Sequence, residues 1–400
     1  MKKTKSRFLP GFLVGMLATM VITAGVVVGI VFSDTDINIT AKKQNNKSAT
    51  EASLSKLSSL ESIIDLYYLD KVDNKKLEEG IYKGLFSGLD DPYSVYYTAD
   101  EYAKLQEDID GVFVGMGAYV SQNTETGIII VTKAFDNSPA KKAGIKDGDI
   151  IYKVEDKEVT GEDVDKVVSM IKGKENTKVK LTIYRQSEKK YIDVEITRAK
   201  VEVPSIEAKM LNKKKGIAYI QIVEFQENTY KQFASAIEKL KKQGMKSVIF
   251  DVRNNPGGRY DIVCQILDDL LPEGTLVSTK DKYGKEEKQT SDAKALNMPM
   301  VVIQNENSAS ASEIFAGAIQ DFKAGTIIGT RSFGKGIVQQ MWPLNDGSAI
   351  KLTVEKYYTP SGKNIHGKGI TPDVEVKAST KGNEDVQLNK AIEILENKNK

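Results

Sequence analysis

The chain has 400 residues, of which 40% are hydrophobic and 28% charged, with a formal net charge of +2. This length and composition fit two or three folded domains. Lys is interleaved with Asp and Glu, as in "KKLEEG" and "DKYGKEEKQ", which excludes a phosphate-tracking nucleic-acid binder. The single cysteine, Cys264, excludes a disulfide framework and any multi-cysteine metal site.

The N-terminus opens with Lys2, Lys3, Lys5 and Arg7, after which Phe8 to Phe32 contains no charged residue. A run of about 20 apolar residues crosses a bilayer. With its basic flank cytoplasmic, the reading is a single-pass membrane anchor with everything after Ser33 outside the cell. A cleaved signal peptide, with small residues at "TAG" 23–25, is the alternative, leaving a secreted protein. Residues 34–52 are polar and aperiodic, as in a linker.

An apolar stripe at helical spacing, Leu54, Leu57, Leu60, Ile64, Tyr67 and Tyr68, predicts a helix over 53–71. A second helix covers "NKKLEEGIYKGLFSGL" and ends at "DDPYS", where the Asp-Pro step breaks it. A third, "ADEYAKLQEDI", completes an N-terminal helical region. From 111 to 198 the pattern turns β-rich, with "GIIIVTKAF", "DIIYKVEDKEV", "KVKLTIYR" and "YIDVEITR" as strands. Two short helices lie between them, one of them punctuated by Ser138 as N-cap, Pro139 at the first helical position and Gly144 at the stop. This stretch resembles a PDZ domain on "GMGA" (115–118), "SPAKKAGIKDGDIIYKVEDKEV" (138–159) and "MIKGKENTKVKLTIYR" (170–185). The resemblance implies that Gly115, Met116, Gly117 and Ala118 form the loop that receives a peptide C-terminus, the peptide adding as an extra strand. These glycines also suit a plain tight turn.

Beyond 199, buried strands alternate with helices: "GIAYIQIVEF", "NTYKQFASAIEKLKKQG", "SVIFDV", "YDIVCQILDDLL", "PMVVIQN". This is the pattern of a layered α/β domain. A short amphipathic helix, "EDVQLNKAIEILENK", follows. Apolar stripes at both ends of the extracytoplasmic chain lead us to expect a homodimer.

Three loops in the α/β region carry candidate chemistry: "DVRNNPGGRY" at 251–260, "QNENSASASE" at 304–313 and "GTRSFGKGIVQQ" at 329–340. Ser310 with Glu313 is a capping-box pattern before a helix, and nothing in that reading demands catalysis. If a serine here is a nucleophile, it needs a base. The one histidine, His366, lies in another loop, "GKNIHGKGI", so the candidates are carboxylates and Lys335. A lysine serves as base only when desolvation favours its neutral amine.

Taken with "DPYS", "SFGKGIVQ", "YYTPSGKNI" and "GKGITPDVEV", these loops are similar to the carboxy-terminal processing peptidases. Those are serine–lysine proteases with an inserted PDZ domain. The resemblance implies a crotonase-like α/β core at 199–376 behind the PDZ domain at 111–198; with the residue patterns above, the chain reads as an anchor at 1–33, a linker at 34–52, a helical region at 53–110, these two domains and a C-terminal helix at 377–400. It implies Ser310 as nucleophile, Lys335 as general base, Gln339 as its orienting partner, and the N–H groups of Ala311 and Gly257 as the oxyanion hole. It implies protein substrates held by their C-termini, with no cofactor and no metal. The family often carries arginine in "IRGK"; here Lys172 stands in "IKGK", a candidate for coupling the PDZ domain to the protease, without arginine's planar fork. A catalytically weak PDZ scaffold and a hydrolase of cell-wall amides are the rival readings.

Overall fold

The computed structural model describes residues 49–379 and 384–398. The expected anchor at 8–32 lies outside the described residues, as does the linker up to 48. Among the described residues no helix is long and apolar enough to cross a membrane. The helix Ala49–Tyr67 belongs to a compact unit of its own that ends at Asn74, and Leu54, Leu60, Ile63 and Leu66 on it are exposed.

From Lys75 the chain forms one unit. The helix Asn74–Ser87 stops ahead of Pro92, and Ala99–Asp110 starts at a complete capping box between Thr98 and Glu101. A two-stranded antiparallel ribbon, Val112–Gly115 with Ala199–Glu202, then leads into and out of the β-rich domain. That domain is an antiparallel sheet in the order Ala118–Gln122, Ile129–Ala134, Ile150–Val154, Lys178–Arg185, Lys190–Thr197, with Lys157–Glu158 added to the third strand. Arg185 locks it from inside: Nε and Nη2 donate to the two oxygens of buried Asp149 at 2.8 and 2.7 Å.

The α/β region is built on a six-stranded sheet ordered Ile206–Asn212, Ile217–Ile222, Ser247–Asp251, Met300–Gln304, Gly325–Gly329, Val374–Glu375. All pairs except the first are parallel. The strands are apolar on both faces because helices cover both. On one face Val248 and Phe250 meet the helices Thr229–Lys242, Tyr260–Leu270 and Ala311–Asp321, with Phe250 edge-on to Phe315 at 5.4 Å. On the other, Ile249, Val301 and Ile328 are covered by Ala391 and Leu395 of the terminal helix Val386–Lys398. The C-terminal stripe that suggested a dimer contact is therefore covered by the chain's own sheet.

A second sheet, antiparallel throughout, stands beside this core. Ala349–Tyr358 pairs on one side with Gly274–Asp281, which carries Glu286–Ser291; it also pairs with Val95–Tyr97 and with Ile337–Pro343. The ladder between Ile337–Pro343 and Ala349–Tyr358 has a register shift between Val338 and Gln339, of the kind that re-aims side chains near a site.

Candidate active site

The three chemistry-bearing loops leave the C-terminal ends of adjacent parallel strands, Ser247–Asp251, Met300–Gln304 and Gly325–Gly329, where α/β sheets place ligands. They converge on a cavity of about 280 Å³ lined by Ser310, Ala311, Lys335, Gln339, Gly258 and Tyr357, among others.

The serines separate by their partners. Ser308 is buried and its hydroxyl donates to the Val252 carbonyl at 2.7 Å; the buried Ser312 hydroxyl donates to the Asn255 carbonyl at 2.9 Å. Both fasten the helix start to the 251–260 loop. Ser310 lines the cavity instead. Its backbone sits at φ 55°, ψ −115°, a conformation that L-residues seldom adopt and that favours glycine.

The capping box between Ser310 and Glu313 is present, and its carboxylate half is the centre of the site. Glu313 N–H bonds to the Ser310 carbonyl at 2.8 Å. The Glu313 side chain reaches back to the Ser310 N–H at 2.9 Å. It also accepts from Ser332 Oγ at 2.6 Å, Gly334 N–H at 2.7 Å and Lys335 N–H at 2.8 Å. One buried carboxylate thus ties the serine loop to the lysine loop. Burial pushes its pKa up, and the four hydrogen bonds act against that rise.

The glycines of both loops are close-approach positions. A Cβ on Gly258 would meet the Phe225 carbonyl oxygen at 2.3 Å, and one on Gly336 would meet His366 N at 2.6 Å. Lys335 is therefore flanked by backbone packed directly on the 366–369 segment, while His366 is exposed. Burial lowers the Lys335 pKa, the nearby Lys351 charge lowers it further, and Asp91 and Glu313 oppose the shift. The Lys335 ammonium position lies 4.7 Å from the centroid of the Tyr93 ring. Gln339 Nε2 donates to Thr353 Oγ1 at 3.4 Å, across the bulged pair. Ser310, Lys335 and Gln339 line one cavity, with no direct hydrogen bond joining their side chains.

Two expected oxyanion donors fare differently. Ala311, buried as the first residue of its helix, lines the cavity with its N–H at the positive end of the helix. The Gly257 N–H donates to Asn255 Oδ1 at 2.8 Å in this structure. The neighbouring Gly258 lines the cavity, and its N–H has no acceptor among the described residues. The Asn255 side chain that claims Gly257 had no signature in the sequence beyond its place ahead of Pro-Gly-Gly.

The other expected residues lie elsewhere. Gly115–Ala118 sit between the ribbon and the sheet edge. Met116 is buried, with its carbonyl accepting from Ala140 N–H at 2.7 Å, and Gly117 has φ 77° with no room for a Cβ against Ser138. Lys172 does not line this cavity. It pairs with Glu107 of the helix Ala99–Asp110 and lies over the Phe113 ring at 5.2 Å, bridging the PDZ-like domain to the helical region.

The sequence profile described as Peptidase family S41 matches residues 216–376, that of the activating protease CtpB N-terminal domain matches 12–101, and that of the PDZ domain matches 130–185. A probable CtpA-like serine protease of Staphylococcus haemolyticus (strain JCSC1435) is 42% identical over 313 residues, covering 77% of this chain and 62% of that one. One from Staphylococcus aureus (strain MSSA476) is 38% identical over 344 residues, covering 85% of this chain and 68% of that one. The chain thus spans about two thirds of the length of these relatives. A putative S41 protease from Bacteroides fragilis NCTC 9343 shares the fold, with TM-score 0.53 at 17% identity over 83% of this chain and 93% of that one.

Replacing Glu313 by Gln turns two of its four acceptor positions into an amide facing N–H or O–H donors. We expect Glu313→Gln to destabilise the full chain by about 2 kcal/mol or more, read as a lower urea midpoint. An unchanged midpoint would show that the carboxylate is not the tie between the loops.

Proposed function

Because the chain belongs to the carboxy-terminal processing group of peptidase family S41, we propose that it hydrolyses peptide bonds of protein substrates with Ser310 as nucleophile and Lys335 as general base. The observation that carries this is the convergence of Ser310, a desolvated Lys335 and Gln339 on one cavity with N–H donors beside the serine. Neutral Lys335 takes the Ser310 proton as Oγ attacks the scissile carbonyl. The N–H groups of Ala311 and Gly258 receive the oxyanion. Lys335 then returns its proton to the departing amine, leaving an acyl-Ser310 ester. A water deprotonated by Lys335 hydrolyses the ester and regenerates the serine. Gln339 orients the lysine from the bulged strand, and the core is read as crotonase-like.

Substrate capture is assigned to the PDZ domain. The strand Ala118–Gln122 is the edge of its sheet, so an extended C-terminal peptide can add to it, with its carboxylate at Gly115–Ala118. Lys172, tied to Glu107, is the route by which occupancy reaches the rest of the chain. The charge-free run at 8–32 behind its basic flank supports a cell-membrane anchor with the catalytic part outside the cell. A strained Ser310 at the mouth of a built cavity favours an enzyme over a mere scaffold.

A homodimer through the Ala49–Tyr67 helix would cover Leu54, Leu60, Ile63 and Leu66. Sedimentation equilibrium of the detergent-solubilised full chain is expected to give a dimer, and a monomer would contradict the proposal. For catalysis, Ser310→Ala and Lys335→Ala are expected to abolish cleavage of an unfolded casein while leaving the unfolding midpoint near wild type, and His366→Ala to keep it. Activity in Ser310→Ala, or loss in His366→Ala, would overturn the assignment. Because the base must be neutral, activity should rise as pH climbs through the depressed Lys335 pKa.

A further inference from the structure

The "DPYSVYY" segment, residues 91–97, reads in sequence as a helix stop followed by a short strand. In the structure it lies against the lysine loop and the strand that faces Gln339. Tyr93 presents its ring face to Lys335 Nζ at 4.7 Å. Its backbone is fixed by Asp91, which accepts the Tyr93 N–H at 3.1 Å and the Ser94 hydroxyl at 2.6 Å. Ser94 Oγ accepts Thr353 N–H at 3.0 Å, and Thr353 Oγ1 accepts Gln339 Nε2. Four residues on, Tyr97 takes a second lysine: Lys351 Nζ donates to its hydroxyl at 2.6 Å and lies 5.1 Å from its ring centroid.

We infer that this segment is a positioning element of the catalytic base, Tyr93 seating Lys335 on its ring face while Tyr97 holds Lys351 on the strand that pairs with Ile337–Pro343. The inference rests on Lys335 being the base. A ring face attracts an ammonium by its quadrupole, more so where water is excluded. Lys335 thus returns after each proton transfer to a defined seat on the Tyr93 ring. Tyr93 is half-buried and stays a neutral phenol, its pKa raised by burial first and then by Asp91 and Glu313. The groups facing Lys335 act in opposite directions. Lys351 from the strand Ala349–Tyr358 favours the amine; Asp91 of the turn, Glu313 of the helix and the Tyr93 ring favour the ammonium. Arg259 also lines the cavity but is itself paired with Glu227 and Asp261.

The test uses the detergent-solubilised full chain, fluorescein-labelled unfolded casein as substrate, and the pH dependence of kcat and kcat/KM. Tyr93→Phe keeps the ring face and should behave as wild type. Tyr93→Leu removes it, so kcat should fall about tenfold or more with KM unchanged. Its acidic limb should move about one pH unit lower, because an ammonium-stabilising contact is lost. Lys351→Met should move the limb the other way. A Tyr93→Leu enzyme matching wild type in kcat and pH profile overturns the inference, as does a Tyr93→Phe enzyme as impaired as Tyr93→Leu. If Tyr93→Leu does not fold, an unmoved limb in Lys351→Met overturns it. Lys335→Met, run alongside, separates the two levels: its activity would overturn the base assignment itself, whereas its inactivity with an unaffected Tyr93→Leu removes only the positioning role.

Discussion

The Glu313 carboxylate holds the site together. It is fully buried, and each of its oxygens accepts two hydrogen bonds, so a charge that would be costly in isolation is surrounded by donors. Those donors come from two loops on neighbouring strands. Ser310 is held in its strained turn by its own N–H, and Lys335 is held by its backbone at a distance set by the same carboxylate. Moving either loop would leave an oxygen of Glu313 or a buried N–H without a partner. Such a tie fixes the backbones of both loops while Ser310 and Lys335 line the cavity between them.

Around that tie, close backbone contact replaces side-chain packing. Gly258 lies on the Phe225 carbonyl and Gly336 on the His366 amide, both nearer than a Cβ would permit. The rigid support behind them is the aromatic stack of Phe225, Phe250 and Phe315. Truncation of a buried phenylalanine of this kind costs roughly 3–5 kcal/mol. The second sheet supplies the opposite wall. Through it the N-terminal segment at 91–97 reaches a lysine more than 200 residues away in sequence, and the Lys172–Glu107 pair joins the PDZ domain to the same N-terminal region.

Much of this was legible in the residues, and the limits of that reading have physical causes. The parallel strands stood out because burial on both faces makes them continuously apolar, and Ser138-Pro139 and Gly144 marked a helix by local chemistry alone. Capping chemistry was equally visible at Ser310 and Glu313, but a side chain that also binds a loop 20 residues on leaves no local period or spacing. The same holds for Tyr93, whose partner is fixed by a sheet pairing, and for Asn255, whose side-chain oxygen takes the Gly257 N–H. The second sheet was the least visible element: "KDKYGKEEKQ" is exposed and charged, and its hairpin is held by pairing with a distant strand. The C-terminal stripe was read correctly as apolar, but periodicity does not say which surface covers it.

The account stands or falls on Ser310 being activated by a lysine. The direct measurement is covalent labelling of the full chain with a fluorophosphonate across a range of pH, the site found by mass spectrometry and the rate followed by intact mass. The account predicts a single adduct on Ser310, forming at a rate that rises with pH as Lys335 loses its proton and vanishing in Lys335→Met. Adduct on another serine, or a Ser310 rate indifferent to Lys335→Met, would contradict it.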